Sequence, residues 1–236
     1  MFSKVFLAMT AREMEEFLPK RLAYMACHFS SYSNGLSNLP VQMPENSILL
    51  LDDSMPVQGH DPAQVIGQLN ELIEKFCVNA LLLDFQREKD PQTQQMAAAI
   101  IDNISCPTAV TPLYANDLDC PVFLSPTPAN EALQDYLRPW QGRDLFLELS
   151  LERLQFTVTE NGSVKTVLPP AHTHPLPHRD ESLHCHYETS VFPDKVVFTL
   201  QRTREDLEAL AEEAYGLGVQ GVVGLYQELI TFPNTK

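Results

Sequence analysis

Two short apolar runs in the first half of the chain each end in aspartate. Residues 49–52 read Leu-Leu-Leu-Asp, and residues 81–84 repeat the same four residues. An unbroken apolar run of this length is typical of a parallel strand that helices cover on both faces. The carboxyl ends of parallel strands share one edge of a sheet, so Asp52, Asp53 and Asp84 are expected to lie together at that edge.

Each run is followed by an Asp-Pro pair and then by an amphipathic segment. Asp61-Pro62 precedes apolar residues that recur on one helical face from 65 to 76, and Asp90-Pro91 precedes a similar pattern from 96 to 104. Aspartate is a good N-cap because its side chain accepts a hydrogen bond from an unpaired amide, and proline at the first helical position has no amide N–H to lose. Two consecutive strand-loop-helix units are therefore predicted.

The strand pattern of the whole chain predicts a small, irregular (β/α)8 barrel. Candidate parallel strands lie near residues 22, 47, 80, 108, 122, 145, 196 and 219. The segment through Pro19 has the pattern of an amphipathic helix. An open doubly wound sheet is the alternative, but no Gly-rich phosphate loop follows any strand. We expect one α/β domain over residues 1–236, of the TIM-barrel type.

An antiparallel insertion is predicted in the C-terminal half. Residues 154–159 alternate between apolar and polar positions, an Asn-Gly turn follows at Asn161, and residues 164–168 return. A second hairpin-like pair joins 187–191 to 196–201. We expect residues 154–191 to form a β-hairpin and loop insertion.

Composition limits the classes of partner and compartment. The formal net charge of -15 and the pI near 4.7 disfavour nucleic acids and anionic membranes, which the whole surface would repel. The five cysteines are scattered, without a Cys-x-x-Cys pair, so neither a disulfide framework nor a zinc site is indicated. No convincing signal peptide or membrane-length apolar run is present. We therefore expect a cytoplasmic, acidic protein without a bound cofactor, and the oligomeric state stays open.

Candidate site residues lie at the predicted strand ends. Asp84 and Gln86 are two residues apart and so share one side of a strand. Other polar and aromatic candidates at the mouth of the barrel are Asp52, Asp53, Glu148, Glu228, Tyr32 and Tyr226. A pair of these carboxylates could support hydrolysis, and the two tyrosines could stack on a ligand. In the opposite interpretation, Asp53 caps a loop while Glu148 and Glu228 point to solvent.

Residues 79–86 resemble the signature strand of chitinase-like family 18 glycoside hydrolases, in which a barrel strand ends in Asp-x-x-Asp-x-Asp-x-Glu. The four acidic positions correspond here to Asn79, Leu82, Asp84 and Gln86, with an aromatic residue between the last two. The resemblance implies a (β/α)8 barrel in which the final Glu protonates the glycosidic oxygen and the preceding Asp orients the substrate's acetamido group. Gln86 has no acidic proton, so general acid catalysis from that position should fail.

Histidines are concentrated in the predicted insertion. His-x-His occurs at His172 and His174 and again at His184 and His186. Alternate positions on a strand would point two imidazoles toward one metal ion, yet no complete ligand set is evident. A flexible, exposed insertion is the simpler interpretation. We predict no metal site, with His184 and His186 as the weak candidates.

Three functional hypotheses follow. The first is a glycoside-hydrolase-like pseudoenzyme or atypical carbohydrate-binding protein, with a small molecule or oligosaccharide held by Asp84 and Gln86. The second is an active glycoside hydrolase that uses Asp84 with Glu148 or Glu228. The third is a protein-interaction module that acts through residues 154–191. An open cleft among the acids favours the first two, whereas a plugged barrel mouth and an exposed apolar face on the insertion favour the third.

Overall fold

The computed structural model describes residues 5–168 and 176–230. In this part of the chain, eight parallel strands form a closed barrel, because the first strand pairs with both the second and the last. In chain order these strands are β1 (Val5–Met9), β2 (Leu22–Phe29), β4 (Ile48–Asp52), β5 (Ala80–Asp84), β6 (Thr108–Val110), β7 (Val122–Leu124), β8 (Leu145–Leu149) and β14 (Gly221–Leu225). A short strand, β3 (Leu36–Ser37), pairs with β2 in the antiparallel sense. The predicted TIM-like barrel is confirmed.

The outer layer consists of helices and helical turns. They are α1 (Ala11–Glu16), α2 (Pro62–Phe76), α3 (Pro91–Asn103), α4 (Pro112–Ala115), α5 (Leu133–Leu137), a 3-10 turn at Arg138–Trp140, α6 (Arg204–Gly216) and α7 (Tyr226–Leu229). The predicted Asp-Pro helix starts are confirmed. Asp61 accepts a hydrogen bond from the amide of Ala63, and Asp90 accepts from those of Gln92 and Thr93. None of the helices in the described ranges is long and apolar enough to cross a bilayer.

The prediction of a helix through Pro19 was wrong for the first part of that segment. Val5–Met9 is a barrel strand in which all five residues are buried, and only Ala11–Glu16 is helical. The helix begins there because Thr10 and Glu13 form a capping box. A strand covered on both faces shows no alternation of polar and apolar residues, so its sequence resembles the buried side of a helix.

Side chains alternate along each strand between the barrel interior and the helix layer. Leu49, Leu51, Leu81 and Leu83 belong to the large outer core together with residues of α2 and α3. The inner core comprises Phe6, Ala8, Ala23, Ile48, Leu50, Ala80, Leu82, Ala109, Phe123, Phe146 and Val223. Gly221 is required beside Phe146, because a Cβ atom there would lie 2.8 Å from the Phe146 ring. The interior is thus a packed core, as in other TIM barrels.

Within residues 153–168 and 176–201, five strands form a second, antiparallel sheet, which lies between β8 and α6 in the chain. Its strands, in the order β10-β9-β13-β12-β11, are β9 (Arg153–Thr159), β10 (Val164–Val167), β11 (His178–Asp180), β12 (Cys185–Val191) and β13 (Lys195–Gln201). The strand that we expected in the barrel near residue 196 is β13 of this sheet, and Val5–Met9 takes its place in the barrel. Phe198 and Leu200 alternate with the polar residues Thr199 and Gln201 and belong to the small apolar core of this sheet.

Two buried charged side chains connect this sheet to the barrel. Arg202 donates hydrogen bonds to main-chain carbonyls of Thr127, Pro128 and Leu183, and so joins the loop after β7 to the sheet. Asp206, in the first turn of α6, accepts from Arg179 of β11 at 3.0 Å and from His186 of β12 at 2.9 Å. Burial alone would raise the pKa of Asp206, but hydrogen bonds from Thr203, Arg179 and His186 outweigh it and lower that pKa.

Candidate functional site

Asp52 and Asp84 lie side by side at the carboxyl end of neighbouring strands. They are partners in the parallel register of β4 and β5, as predicted. Leu50 and Leu82 face the barrel interior, so the aspartates two residues later face the mouth above it. Asp52 also accepts a hydrogen bond of 2.8 Å from the amide of Ser54.

An open cavity of about 440 Å³ lies at this edge of the barrel. Its lining combines the predicted site residues Asp52, Asp53, Asp84 and Gln86 with Met25, Leu50, Ser54 and Arg87. Its volume lies within the ~300–1,000 Å³ that is usual for small-molecule sites. The mouth of the barrel is therefore open to a ligand in front of Asp84.

Gln86 occupies the position of the acid in the family 18 signature and contacts Asp84 directly. Its side-chain nitrogen Nε2 donates a hydrogen bond of 2.7 Å to Oδ1 of Asp84. Burial raises the pKa of Asp84, the bond from Gln86 opposes this shift, and the charges of Asp52 and Asp53 add to it. Gln86 thus holds Asp84 in place as a hydrogen-bond donor, and it brings no acidic proton of its own.

Asp53 connects the two loops that follow β4 and β5. It is buried, and its two carboxylate oxygens accept hydrogen bonds from the amides of Gln86 at 3.0 Å and Arg87 at 3.1 Å. Arg87 in turn donates from Nη1 to the carbonyl of Ser54 at 3.1 Å. Asp53 touches the cavity, but both of its oxygens are engaged in holding the loop that carries Gln86.

Glu148 lies on β8, two residues beyond the inner-core residue Phe146 and so on the same side of that strand. Burial, together with the negative charges of Asp84 and Glu228, raises the pKa of Glu148 to about 7. Glu228 is held by the loop after β8, accepting hydrogen bonds from the amide of Leu151 at 2.7 Å and the hydroxyl of Ser150 at 3.4 Å. The negative charges of Asp84 and Glu228 therefore act on Glu148 across the mouth of the barrel.

The two predicted stacking tyrosines lie apart from each other. Tyr226 begins α7 instead of ending the last strand; it is buried in the outer core, with its ring stacked on Phe17 at a centroid distance of 5.9 Å. Tyr32 lies in the loop after β2 and is 97% exposed. Neither ring lines the cavity in front of Asp84. The apolar surface of that cavity comes from Met25 and Leu50.

Met25 and Ser54 are among the lining residues of the cavity that were not predicted as site residues. Met25 follows Ala23 by two residues on β2, so the period-two pattern of the strand could have placed it inside the barrel. Ser54 carries no comparable signal, because its contacts with Asp52 and Arg87 use its main-chain atoms.

His184 and His186 each contact a different carboxylate of α6. His184 Nε2 lies 2.5 Å from Glu213 Oε2, and His186 Nδ1 lies 2.9 Å from Asp206 Oδ2. Within residues 5–168 and 176–230, no group of three histidine, cysteine or acidic side chains could hold a metal ion. His172 and His174 lie outside the described residues. His184 and His186 thus connect the insertion to α6.

The insertion keeps an apolar face only partly covered. Phe156 and Phe198 stack at 4.9 Å and are half-buried, while Val164 and Val191 near the tip are exposed. An exposed apolar face is one of the two features expected of an interaction module. The other feature, a plugged barrel mouth, is contradicted by the cavity in front of Asp84.

No protein-family model matches the sequence, and no curated protein matches it. Several solved structures match the fold. The spore cortex-lytic enzyme SleL of Bacillus cereus aligns with a TM-score of 0.54 and 10% identity, over 96% of this chain and 71% of that one. A GH18 chitinase of Cycas revoluta aligns over 94% of each chain, with a TM-score of 0.54 and 12% identity in its complex with allosamidin and 0.52 and 11% in its complex with (GlcNAc)3. This chain has the barrel fold of the family 18 glycoside hydrolases.

These likenesses confirm the fold that the resemblance around Asp84 implies. The motif lies on β5, the fourth strand of the barrel in chain order, and Asp84 is the last residue of that strand. The identities of 10 to 12% carry the comparison no further than the fold.

Proposed function

We propose that this chain binds an oligosaccharide at the mouth of its barrel and does not use the chitinase mechanism. The observation that carries the proposal is the hydrogen bond from Gln86 to Asp84. Gln86 is a neutral amide at the position where the signature has the proton donor, so it can orient Asp84 but cannot supply the acid needed to cleave a glycosidic bond.

The composition of the cavity suits a sugar. Asp52 and Asp84 supply hydrogen-bond acceptors, while Gln86 and Arg87 supply donors. Met25 and Leu50 supply the apolar surface that the C–H face of a pyranose ring needs. A few polar groups directed into a partly apolar cavity are the usual design of a small-molecule site.

Structures of similar fold support the same class of ligand. The Cycas revoluta chitinase is solved with (GlcNAc)3 and with allosamidin, and the Bacillus cereus protein is a spore cortex-lytic enzyme. We extend only the ligand class to this chain, namely oligosaccharides that include N-acetylated sugars. We do not extend glycosidic cleavage to this chain, because Gln86 stands at the position of the acid in the family signature.

A thermal-shift screen combined with a turnover assay tests the proposal. Chito-, gluco- and muro-oligosaccharides are added to the wild type, to Asp84→Ala and to Asp102→Ala, an exposed aspartate near the end of α3 that serves as the matched control. A ligand at 100 times its Kd stabilises the folded state by ~2.7 kcal/mol. We expect a shift of the midpoint in the wild type and control, no shift in Asp84→Ala, and no product in any sample. If no sugar shifts the wild type, the carbohydrate proposal fails.

An active hydrolase is the second candidate, and Glu148 favours it. A carboxyl group whose pKa is about 7 can act as a general acid near neutral pH, and the ionised partner would be Asp84 or Glu228. The mechanism would then differ from that of the chitinases. Product from the wild type that disappears in Glu148→Gln, with a rate that falls as pH rises above about 7, would establish it in place of the binding protein.

A further inference from the structure

His60, in the loop between β4 and α2, contacts two main-chain carbonyl groups at once. Its Nδ1 lies 3.0 Å from the carbonyl oxygen of Val57, in the same loop, and its Nε2 lies 2.9 Å from that of Ser30, in the loop between β2 and β3. A carbonyl oxygen only accepts hydrogen bonds, so each ring nitrogen needs a proton to bind its partner. Neutral imidazole carries one N–H group and imidazolium carries two. Only the imidazolium form satisfies both contacts.

Both carbonyl groups belong to buried residues, Val57 and Ser30. Buried carbonyl groups are normally paired with a donor, and the ring of His60 supplies one to each. In neutral imidazole, the nitrogen without a proton would direct its lone pair at a carbonyl oxygen 2.9 or 3.0 Å away. Loss of one proton to solvent therefore turns one of the two contacts from attraction into repulsion.

The loop that His60 reaches, residues 30–35, is closed on itself. The amide of Ser30 donates to the carbonyl of Gly35 at 2.9 Å. A second bond joins the same two loops, because the amide of Asp61 donates to the carbonyl of Asn34 at 3.2 Å. His60 and Asp61 together therefore hold this closed loop against the loop between β4 and α2.

The ring of His60 also contacts the core below the mouth of the barrel. It packs edge-on against Phe29 at a centroid distance of 5.1 Å, and Phe29 packs against Phe85 at 5.9 Å. Phe85 lies in the chain between Asp84 and Gln86. A change in the position of His60 therefore reaches the packing that supports the mouth.

The other groups around His60 are uncharged, exposed or already bonded. Among the described residues that line the cavity of about 240 Å³ beside it, which come from its own loop, α2 and α3, His60 is the one that titrates. The carboxylates at the starts of these two helices, Asp61 and Asp90, accept hydrogen bonds from amides of their own first turns. On β2 the ring faces Phe29, and the titratable side chain of the loop 30–35, that of Tyr32, is 97% exposed. His60 is therefore the group whose charge couples the two loops to pH.

We propose that His60 is a pH-sensitive clamp between the loop 30–35 and the loop that leads to α2. With a proton on each ring nitrogen it binds both loops, and loss of one proton breaks one contact and loosens the two loops together. Histidine is the side chain whose charge ordinarily changes between about pH 5 and 8, so the clamp opens within the physiological range. The inference does not depend on the ligand at the mouth, and its test contains no sugar.

Nuclear magnetic resonance over a pH series from about 5 to 8 tests the clamp. The nitrogen chemical shifts of the His60 ring report how many of its nitrogens carry a proton, and amide hydrogen exchange reports the two loops. The wild type is compared with His60→Gln and with His28→Gln. His28 is the matched control because, within the described part of the chain, its ring makes one carbonyl contact, from Nδ1 to Ala26 at 3.1 Å, which neutral imidazole satisfies.

We expect exchange in residues 30–35 and 57–61, corrected for the intrinsic effect of pH, to accelerate about fivefold as His60 loses its second proton, the effect of one hydrogen bond. His28→Gln should behave as the wild type does. His60→Gln should show the fast corrected rate at every pH, because its side chain cannot gain a second donor nitrogen.

Three results would overturn the clamp. The first is corrected exchange in both loops that stays constant while His60 titrates in the wild type. The second is a His60 ring that keeps one nitrogen unprotonated at the acid end of the series, since it would never bind both carbonyl groups. The third is the wild-type pH dependence retained in His60→Gln or lost in His28→Gln.

Discussion

The side-chain amide of Gln86 donates a hydrogen bond of 2.7 Å to Oδ1 of Asp84 at the end of the fourth barrel strand. This contact keeps the aspartate fixed in front of the cavity and reduces the cost of burying it beside Asp52 and Asp53. Gln86 therefore offsets part of the repulsion among the carboxylates of Asp52, Asp53 and Asp84 at the mouth of the barrel.

Gln86→Glu should destabilise the protein at high pH and much less at low pH. Two carboxyl groups at this separation share one proton, so ionising both is unfavourable, and their pKa values rise in the folded state. Groups with raised pKa values favour folding at low pH, and this contribution is lost as pH rises through those values. We expect about 1–3 kcal/mol less stability than the wild type at pH 8. Urea unfolding between pH 4 and 8 measures this difference.

Gln141→Glu is the control for that series, because Gln141 is exposed and lies outside the mouth. Its stability curve should run parallel to that of the wild type. A parallel curve for Gln86→Glu as well would show that Gln86 does not contact Asp84 in solution.

Asp53→Ala should loosen the loop after β5. The substitution removes the acceptor for the amides of Gln86 and Arg87, and charge-assisted hydrogen bonds of this kind contribute roughly 1.5–3 kcal/mol each when partly buried. We expect a loss of about 3 kcal/mol in the free energy of unfolding, the lower end for two such bonds, because removing the Asp53 charge also relieves its repulsion of Asp84. Hydrogen exchange at these two amides should accelerate, while Asp119→Ala, at an exposed position, should change neither. Unchanged exchange in Asp53→Ala would contradict the role given to Asp53.

Glu148→Gln should stabilise the protein above neutral pH. The pKa of Glu148 rises from 4.5 to about 7 on folding, so the carboxyl group contributes stability below pH 4.5 and loses that contribution as pH rises to about 7. A neutral amide has no charge to bury, and the variant should gain about 2–3 kcal/mol over the wild type at pH 8 and nothing at pH 4. Thermal melts at both pH values test this sign. A variant less stable at pH 8 would show that ionised Glu148 has favourable partners.

Arg202→Met should detach the antiparallel sheet from the barrel. The guanidinium group satisfies carbonyls of Thr127, Pro128 and Leu183, and Met would leave those acceptors buried without donors. Breaking a buried charged contact usually costs roughly 3–5 kcal/mol. We expect a loss in that range, with faster hydrogen exchange in residues 153–168 and 176–201. The exposed Arg12→Met is the control; if both variants melt alike, Arg202 does not anchor the sheet.

The parts of the fold that were predictable from sequence are those fixed by local patterns. The repeated Leu-Leu-Leu-Asp runs and the Asp-Pro caps predicted two strand-loop-helix units, and the structure confirms Asp52 opposite Asp84. The Asn-Gly turn at Asn161 likewise predicted the hairpin of β9 and β10. In each case the deciding interaction is between residues close in sequence, such as a cap, a turn or alternation along one strand.

The parts that were not predictable depend on contacts distant in sequence. Val5–Met9 is a strand because β14, from the other end of the chain, pairs with it. Tyr226 is buried because Phe17 packs on it. Asp53 binds main-chain amides that carry no trace of the contact in their side chains. The pKa of Glu148 is raised by burial and, to a lesser extent, by the charges of Asp84 and Glu228, which are distant in sequence. The sequence pattern could therefore name Glu148 as a candidate but could not predict its raised pKa.

We propose that Asp84 and Gln86 bind an oligosaccharide without cleaving it. The most direct measurement is a calorimetric titration of chitotetraose into the wild type and into Asp84→Ala, with chromatography of the recovered sugar from the same samples. We expect saturable binding by the wild type, affinity at least tenfold weaker in Asp84→Ala, and intact tetramer throughout, because losing a carboxylate acceptor costs roughly 1.5–3 kcal/mol. Shorter sugars recovered from the wild type, or equal affinity in the two proteins, would contradict it.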